Sequence, residues 1–309
     1  MYKNIMKLLV LTVGLSLLGG CASVGHLAHL YSDSALKPHI HRYKDGGEAI
    51  YYRFDVGKAP YETYLFFYAA TGCGSLKAYL PAYVEGLGVS AKVFALNKRF
   101  VGDKSTGMFG CSEAFHKNNS LDRWISDYTD FVTTQLKKAK RPPKNVVLVG
   151  VSEAGFATVR TALNIPEVTH VALIGNGGYT MRRSLKTLYE KGSIVFDVEK
   201  GAKKIAANPN SIDDTWYGNT YRWWSKILDY DPLPYLLRLK VPVLLGMGEN
   251  DKSHAVESGY YLKSAFQKAG KTNLMLKVYP KADHRLQDGD TNYRKVFFKT
   301  LGKMLKGAT

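Results

Sequence analysis

Residues Asn145 to Arg160, NVVLVGVSEAGFATVR, constrain the fold of this chain more than any other stretch. They open on Val146-Val147-Leu148-Val149, a β-branched run without polar alternation, the pattern of a strand buried on both faces. Gly150-Val151-Ser152-Glu153-Ala154-Gly155 follows, then a helical stretch from Phe156 to Leu163 closed by Asn164-Ile165-Pro166. A serine at a sharp strand-to-helix turn, between small residues, has the layout of a nucleophile elbow. The turn strains the serine backbone so that its hydroxyl stands above the sheet edge. Side chains two positions away collide with neighbouring backbone unless they are very small. Gly150 and Ala154 meet that demand, and Gly155 lets the helix start pack on the strand. Ala154 stands where the full G-x-S-x-G pattern has its second glycine.

The rest of the chain repeats the alternation of strand and helix. Strands are expected at Glu48–Phe54, Tyr61–Tyr68, Ala91–Leu96, Val168–Ile174, Val241–Gly248 and Leu274–Tyr279. Helices are expected at Leu76–Leu87, Leu121–Lys138, about Val256–Ala269 and Tyr293–Leu305. In the second of these, Trp124, Tyr128, Phe131 and Val132 share one face and read as core. Such alternation implies a mainly parallel sheet covered by helices on both faces. No internal repeat and no second domain is visible.

Centred on Ser152, the sequence resembles the α/β-hydrolase family. In that family the chain order is nucleophile, acid, histidine, and Ser152, Asp251 and His284 reproduce it, each just past a strand. The carboxyl ends of parallel strands are where open α/β sheets place their ligand crevice. The resemblance implies an α/β-hydrolase fold. It also implies a small helical cap insertion at about 179–234, where aromatics cluster at Trp216, Tyr217, Tyr221, Trp223 and Trp224; a peripheral helical segment is the alternative. Serine is a poor nucleophile at neutral pH, and an imidazole poised near that range is the base it needs. Asp251 would hold the ring in the right tautomer. Glu249 and Asp283 are competing acids and His254 a competing base, while His116 and His170 fall outside the expected positions. An oxyanion hole needs two backbone N–H groups. One is expected from Glu153, the other from the loop Ala70–Gly74, with Gly72 or Cys73 as the donor.

The first twenty residues carry a basic start, Lys3 and Lys7, and an apolar run from Leu8 to Leu18 too short to span a bilayer comfortably. Leu18-Gly19-Gly20-Cys21 resembles a bacterial lipobox, which implies a lipoprotein signal peptide at 1–20 and lipid on Cys21. Two or three acyl chains make stable anchoring. Ala22, where an inner-membrane retention signal carries Asp, favours the outer membrane, facing the periplasm. Residues 21–45 read as a tether and 46–309 as the hydrolase domain. In the tether, His39 and His41 form an H-x-H pair without a third ligand nearby and read as surface histidines rather than a metal site. Cys73 and Cys111 remain after Cys21, and an exported protein with two such cysteines invites a disulfide, free buried thiols being the alternative.

At 45% hydrophobic and 22% charged the chain is globular rather than disordered. Its net charge of +17 comes without a helix-turn-helix, zinc-finger or RNA-binding signature. A solvated basic surface is favoured over nucleic-acid binding, with attraction to anionic lipid or cell-wall polymer a third option. The combined expectation is a lipid-anchored serine hydrolase of the cell envelope that cleaves a small-molecule carboxylic ester without cofactor or metal. A peptidase of prolyl-oligopeptidase type is the second reading, although such enzymes usually add a propeller for which the chain has no room. A non-catalytic envelope-binding protein on a hydrolase scaffold is the third.

Overall fold

The computed structural model describes residues 36–107 and 110–307. The leader, Cys21 and most of the expected tether lie outside the described residues. The first half contributes β1 (His39–Arg42), β2 (Glu48–Val56), β3 (Thr63–Tyr68), β4 (Ala91–Leu96), α1 (Glu113–Asn118) and α2 (Leu121–Lys137). The elbow stretch gives β5 (Asn145–Val151) and α3 (Ala154–Asn164), followed by β6 (His170–Ile174). An insertion then holds α4 (Met181–Glu190), α5 (Val198–Ala207), the short pair β7 (Thr215–Trp216) and β8 (Asn219–Thr220), α6 (Tyr221–Ile227) and α7 (Leu233–Arg238). The chain closes with β9 (Val243–Gly248), α8 (Glu257–Lys268), β10 (Leu274–Tyr279), β11 (Gln287–Asp288), β12 (Thr291–Asn292) and α9 (Tyr293–Leu305).

Eight strands form one sheet in the order β1-β2-β4-β3-β5-β6-β9-β10. The two pairings that involve β2 are antiparallel and the rest are parallel. Every residue of β3 and β9 is buried, as continuous apolar strands covered on both faces must be. Alternate residues feed two cores. Tyr64, Phe66 and Tyr68 of β3 join Leu148 of β5 and the aromatic face of α2, whereas Leu65 and Phe67 join Val147, Val149 and the Phe297–Phe298 pair of α9. The protein is therefore an α/β-hydrolase fold of three layers, with β5 near the middle of the sheet.

Three expectations need correction. The tether was bounded at residue 45, but β1 pairs with β2 through His39–Tyr51 to Arg42–Glu48 and makes the sheet's edge strand. Its His41 is no surface histidine: the side chain is buried and its Nε2 lies 2.8 Å from Asp130 Oδ2 on α2. Burial holds the His41 ring below its ordinary pKa in spite of that carboxylate. The stretch Leu76–Leu87 is two short 3₁₀ turns, Leu76–Ala78 and Ala82–Val84, rather than one helix. Pro81 lies between them; it donates no N–H and biases Leu80 away from helical backbone. Between β4 and α2, Ser112 caps α1 by accepting from Phe115 N.

Cys73 and Cys111 form a disulfide, with Cα atoms 5.7 Å apart and a sequence separation of 38. Cross-linking a loop of that length removes unfolded-state entropy equivalent to about 4 kcal/mol. Reduction, or paired serine substitution, is expected to lower Tm by on the order of 10 °C. A melting curve unchanged after verified reduction would show that the bridge adds nothing to the fold.

Candidate active site

Ser152 has φ +55, in the left-handed region that favours glycine. Such a conformation in a non-glycine residue costs about 1–3 kcal/mol and persists only where the surroundings over-determine it. Here they do. The Ser152 N–H donates to Ile174 O at 2.8 Å, and its carbonyl accepts from Asn176 Nδ2 and Gly155 N, both at 2.9 Å. A Cβ placed on Gly150 would lie 2.7 Å from Gly155 Cα and 2.6 Å from Thr158 Oγ1, so the helix can approach the strand only over a glycine. Ala154 is fully buried and accommodated, which explains why the second glycine of the motif is dispensable in this chain.

The acid and the histidine come from the loops after β9 and β10. Asp251 is buried, and its Oδ1 accepts from Ser253 N at 2.7 Å and His254 N at 2.9 Å. Its Oδ2 meets His284 Nδ1 at 2.7 Å. Burial alone would raise the Asp251 carboxyl; the His284 charge and hydrogen bond, with the Ser253 N–H, outweigh it and hold the acid below the usual carboxylate range. His284 lies against Gly175, the residue after the Ile174 carbonyl that holds Ser152. Gly175 has φ +60, and a Cβ there would fall 2.7 Å from His284 Cε1. Ser152 and the His284–Asp251 pair thus flank the same two residues at the end of β6. No hydrogen bond joins Ser152 Oγ to His284 among the described residues; such contacts tighten when substrate is bound.

Burial by itself would lower the His284 pKa, but the Asp251 charge and hydrogen bond prevail and raise it above 6.5. Two outcomes follow. A base must be neutral to take a proton, so kcat/KM is expected to fall as pH drops, with the acid limb centred above 6.5. In stability the sign is opposite: the favoured imidazolium contributes fully below about pH 6.5, and that contribution is lost as pH rises through the raised value. An acid limb centred below 6 would show that the Asp251 pair does not act on the catalytic base.

The competing residues have other partners. His254 is buried with Nε2 3.2 Å from Ser258 Oγ, and burial lowers its pKa to about 4, so it stays neutral. Asp283 accepts from Arg285 N and Gln287 N, and Glu249 is exposed. His170 pairs with Thr169 Oγ1, and His116 belongs to α1.

Two groups of the site were not foreseen. Asn176, buried at the end of β6, pins the Ser152 carbonyl; an asparagine among glycines after a strand was its only signal in the sequence. Lys98, two residues past β4, is 3% exposed and lies within electrostatic reach of the buried Glu153 carboxyl. Burial raises Glu153 and lowers Lys98, each opposed by the charge of the other. Trp223 of α6 also lies against Glu153 and stacks on Trp124 of α2 at 4.5 Å, so the segment between β6 and β9 reaches the residue next to Ser152.

A strained serine on a strand-to-helix turn and a half-buried histidine bonded to a buried aspartate at one sheet edge define the class, and the protein is a serine hydrolase of α/β-hydrolase fold. The chain belongs to the prolyl oligopeptidase family, whose sequence pattern matches residues 105–301. No curated protein matches the sequence. Among solved structures it is similar to Est1E from Butyrivibrio proteoclasticus, with 12% identity and TM-score 0.58 over 89% of this chain and 99% of that one. An acylaminoacyl peptidase from Pyrococcus horikoshii matches with 12% identity and TM-score 0.57 over 89% of this chain but 42% of its own. The esterase domain of a Rhodothermus marinus protein matches with 14% identity and TM-score 0.53 over 89% and 99%.

Proposed function

We propose that this protein hydrolyses carboxylic esters at the bacterial cell envelope, held there by lipid on Cys21. The observation that carries the chemistry is the strained Ser152 and the His284–Asp251 pair lying on either side of the same two residues at the end of β6. Ser152 Oγ attacks the acyl carbonyl while His284 Nε2 takes its proton. The Glu153 N–H and an N–H from the Gly72–Cys73 segment stabilise the oxyanion. Collapse expels the alcohol, protonated by the imidazolium, and water then releases the acyl group by the same steps.

Support for an ester over a peptide comes from extent: the likeness spans 99% of an esterase domain but 42% of the acylaminoacyl peptidase. The family match favours the second reading, a peptidase. A fluorophosphonate probe tests the shared chemistry, with labelling expected in the wild type and lost in Ser152→Ala. Absence of labelling in folded wild-type protein leaves the scaffold reading. p-Nitrophenyl esters of graded length, compared with aminoacyl nitroanilides, then separate the two enzymes, and a kcat/KM higher for the anilides would overturn the ester assignment. Palmitate incorporation that disappears in Cys21→Ala, with the protein found in the outer-membrane fraction, is the expected result for the anchor. Full release of an unlabelled wild-type protein would sink it.

A further inference from the structure

Lys98 makes no contact that the triad chemistry requires, yet a lysine is among the residues least often buried. Its neighbours fix its backbone. Asn97 Oδ1 accepts from Leu76 N at 2.9 Å, and Arg99 forks onto Asp127 with two bonds of 2.8 Å. The ammonium lies 3.6 Å from the centre of the Trp124 ring, with Phe115 and Trp223 farther out. Its hydrogen bond runs to Gly72 O at 3.3 Å. One peptide further on, Ser105 Oγ donates to Cys73 O at 2.6 Å. The loop is thus held at two successive carbonyls, on either side of the Cys73 N–H and Cα, and the disulfide fastens the Cys73 side chain as well. In a trans peptide the C=O and N–H point in opposite directions, so holding the Gly72 carbonyl aims the Cys73 N–H. Among the described residues no acceptor takes the Cys73 N–H, nor the N–H of Glu153.

We propose that Lys98 is a positioning residue for the oxyanion hole: its ammonium holds the Gly72 carbonyl so that the Cys73 N–H points to the developing negative charge. This rests on the hydrolase reading above and selects Cys73 over Gly72 as the loop donor. A cation on the carbonyl oxygen also polarises the peptide and strengthens its N–H as a donor. The Glu153 carboxyl is close enough for its charge to oppose the loss of the Lys98 proton, so the residue that supplies the first N–H is electrostatically linked to the lysine that aims the second. A neutral side chain would lose the aim and the polarisation together.

The test compares wild type, Lys98→Met, Lys98→Gln and Lys98→Arg on a p-nitrophenyl ester, with a trifluoromethyl ketone of the same acyl group as oxyanion mimic. Removing one oxyanion donor outright costs on the order of 10²–10³ in kcat, so misaiming it is expected to cost about 10- to 100-fold. Lys98→Met should lose kcat by that factor with KM within about 3-fold, and inhibition by the ketone should weaken by the factor lost in kcat/KM. Lys98→Arg, which keeps a cationic donor, should recover most of the loss. Lys98→Gln, which keeps a neutral donor, should lie between them and replaces Lys98→Met if that variant does not fold by circular dichroism. A folded Lys98→Met or Lys98→Gln with wild-type kcat, or a loss confined to KM with the ketone unaffected, overturns the proposal and leaves the hydrolase reading standing. Wild-type protein that neither labels with fluorophosphonate nor turns over any ester or anilide brings down both.

Discussion

Replacing Ser152 by alanine is expected to lower kcat by on the order of 10⁴- to 10⁶-fold with KM little changed, and to leave the protein folded. The size follows from the division of labour in such sites. Without the hydroxyl no acyl-enzyme forms, and only water attack assisted by the oxyanion hole and substrate binding remains. That residue of catalysis is why the loss stops short of the full acceleration. Folding survives because the three hydrogen bonds that pin Ser152 are made by its backbone N–H and C=O, which alanine keeps. Burst kinetics with a p-nitrophenyl ester provide the measurement: the wild type shows a pre-steady-state release of about one equivalent, and the variant none. More than a tenth of wild-type kcat in Ser152→Ala would mean that another nucleophile does the work.

Asp251→Asn is expected to cost about 10⁴-fold in kcat, near 5.5 kcal/mol of transition-state stabilisation, with little change in fold. The reason is a question of which way the amide faces. Asp251 Oδ1 accepts two backbone N–H groups, from Ser253 and His254. An asparagine can satisfy both only by putting its oxygen there, which turns its NH₂ toward His284 Nδ1. Nδ1 must then accept, so the imidazole proton moves to Nε2, the atom that has to receive the serine proton. The substitution locks the base in the wrong tautomer while leaving the ring in place. Steady-state kinetics check the size, and a nitrogen-resolved NMR spectrum of His284 checks the cause. A loss below about 100-fold, or an unchanged tautomer, would refute this account of Asp251.

Much of this site could be read from the chain because its parts sit next to strands. Gly150, Ser152 and Gly155 lie in one hexapeptide whose strand and helix are both recognisable, and Leu274–Tyr279 and Tyr293–Leu305 end where the pattern of apolar residues ends. Once a parallel sheet is inferred, residues just past its strands share an edge, and the chain order that the resemblance to α/β-hydrolases implies singles out Asp251 and His284 among them. What escaped depends on tertiary contact alone. Lys98 follows a strand as any basic loop residue would, and only the packing of Trp124 and Trp223 around it reveals that it is buried. His41 reads as a surface residue of the tether until Asp130, 89 positions later, is seen beside it. Pro81 stands inside the stretch Leu76–Leu87, and there the proline rather than the apolar pattern decides the backbone. The prolyl oligopeptidase family was in view as the second reading, and it is the family to which the chain belongs.

The four tryptophans of the chain are Trp124, Trp216, Trp223 and Trp224. Trp124 stacks on Trp223 with ring centres 4.5 Å apart, Trp216 meets Trp224 edge-on at 5.0 Å, and Trp223 and Trp224 are adjacent in sequence. All of the indole absorbance therefore belongs to one corner of the molecule. Tryptophan emission, excited beyond the tyrosine band, will follow the loosening of α6 from α2 and will be blind to events around α9. An optical titration of this protein reports its catalytic neighbourhood, and far-ultraviolet dichroism is needed alongside it to see the remainder melt.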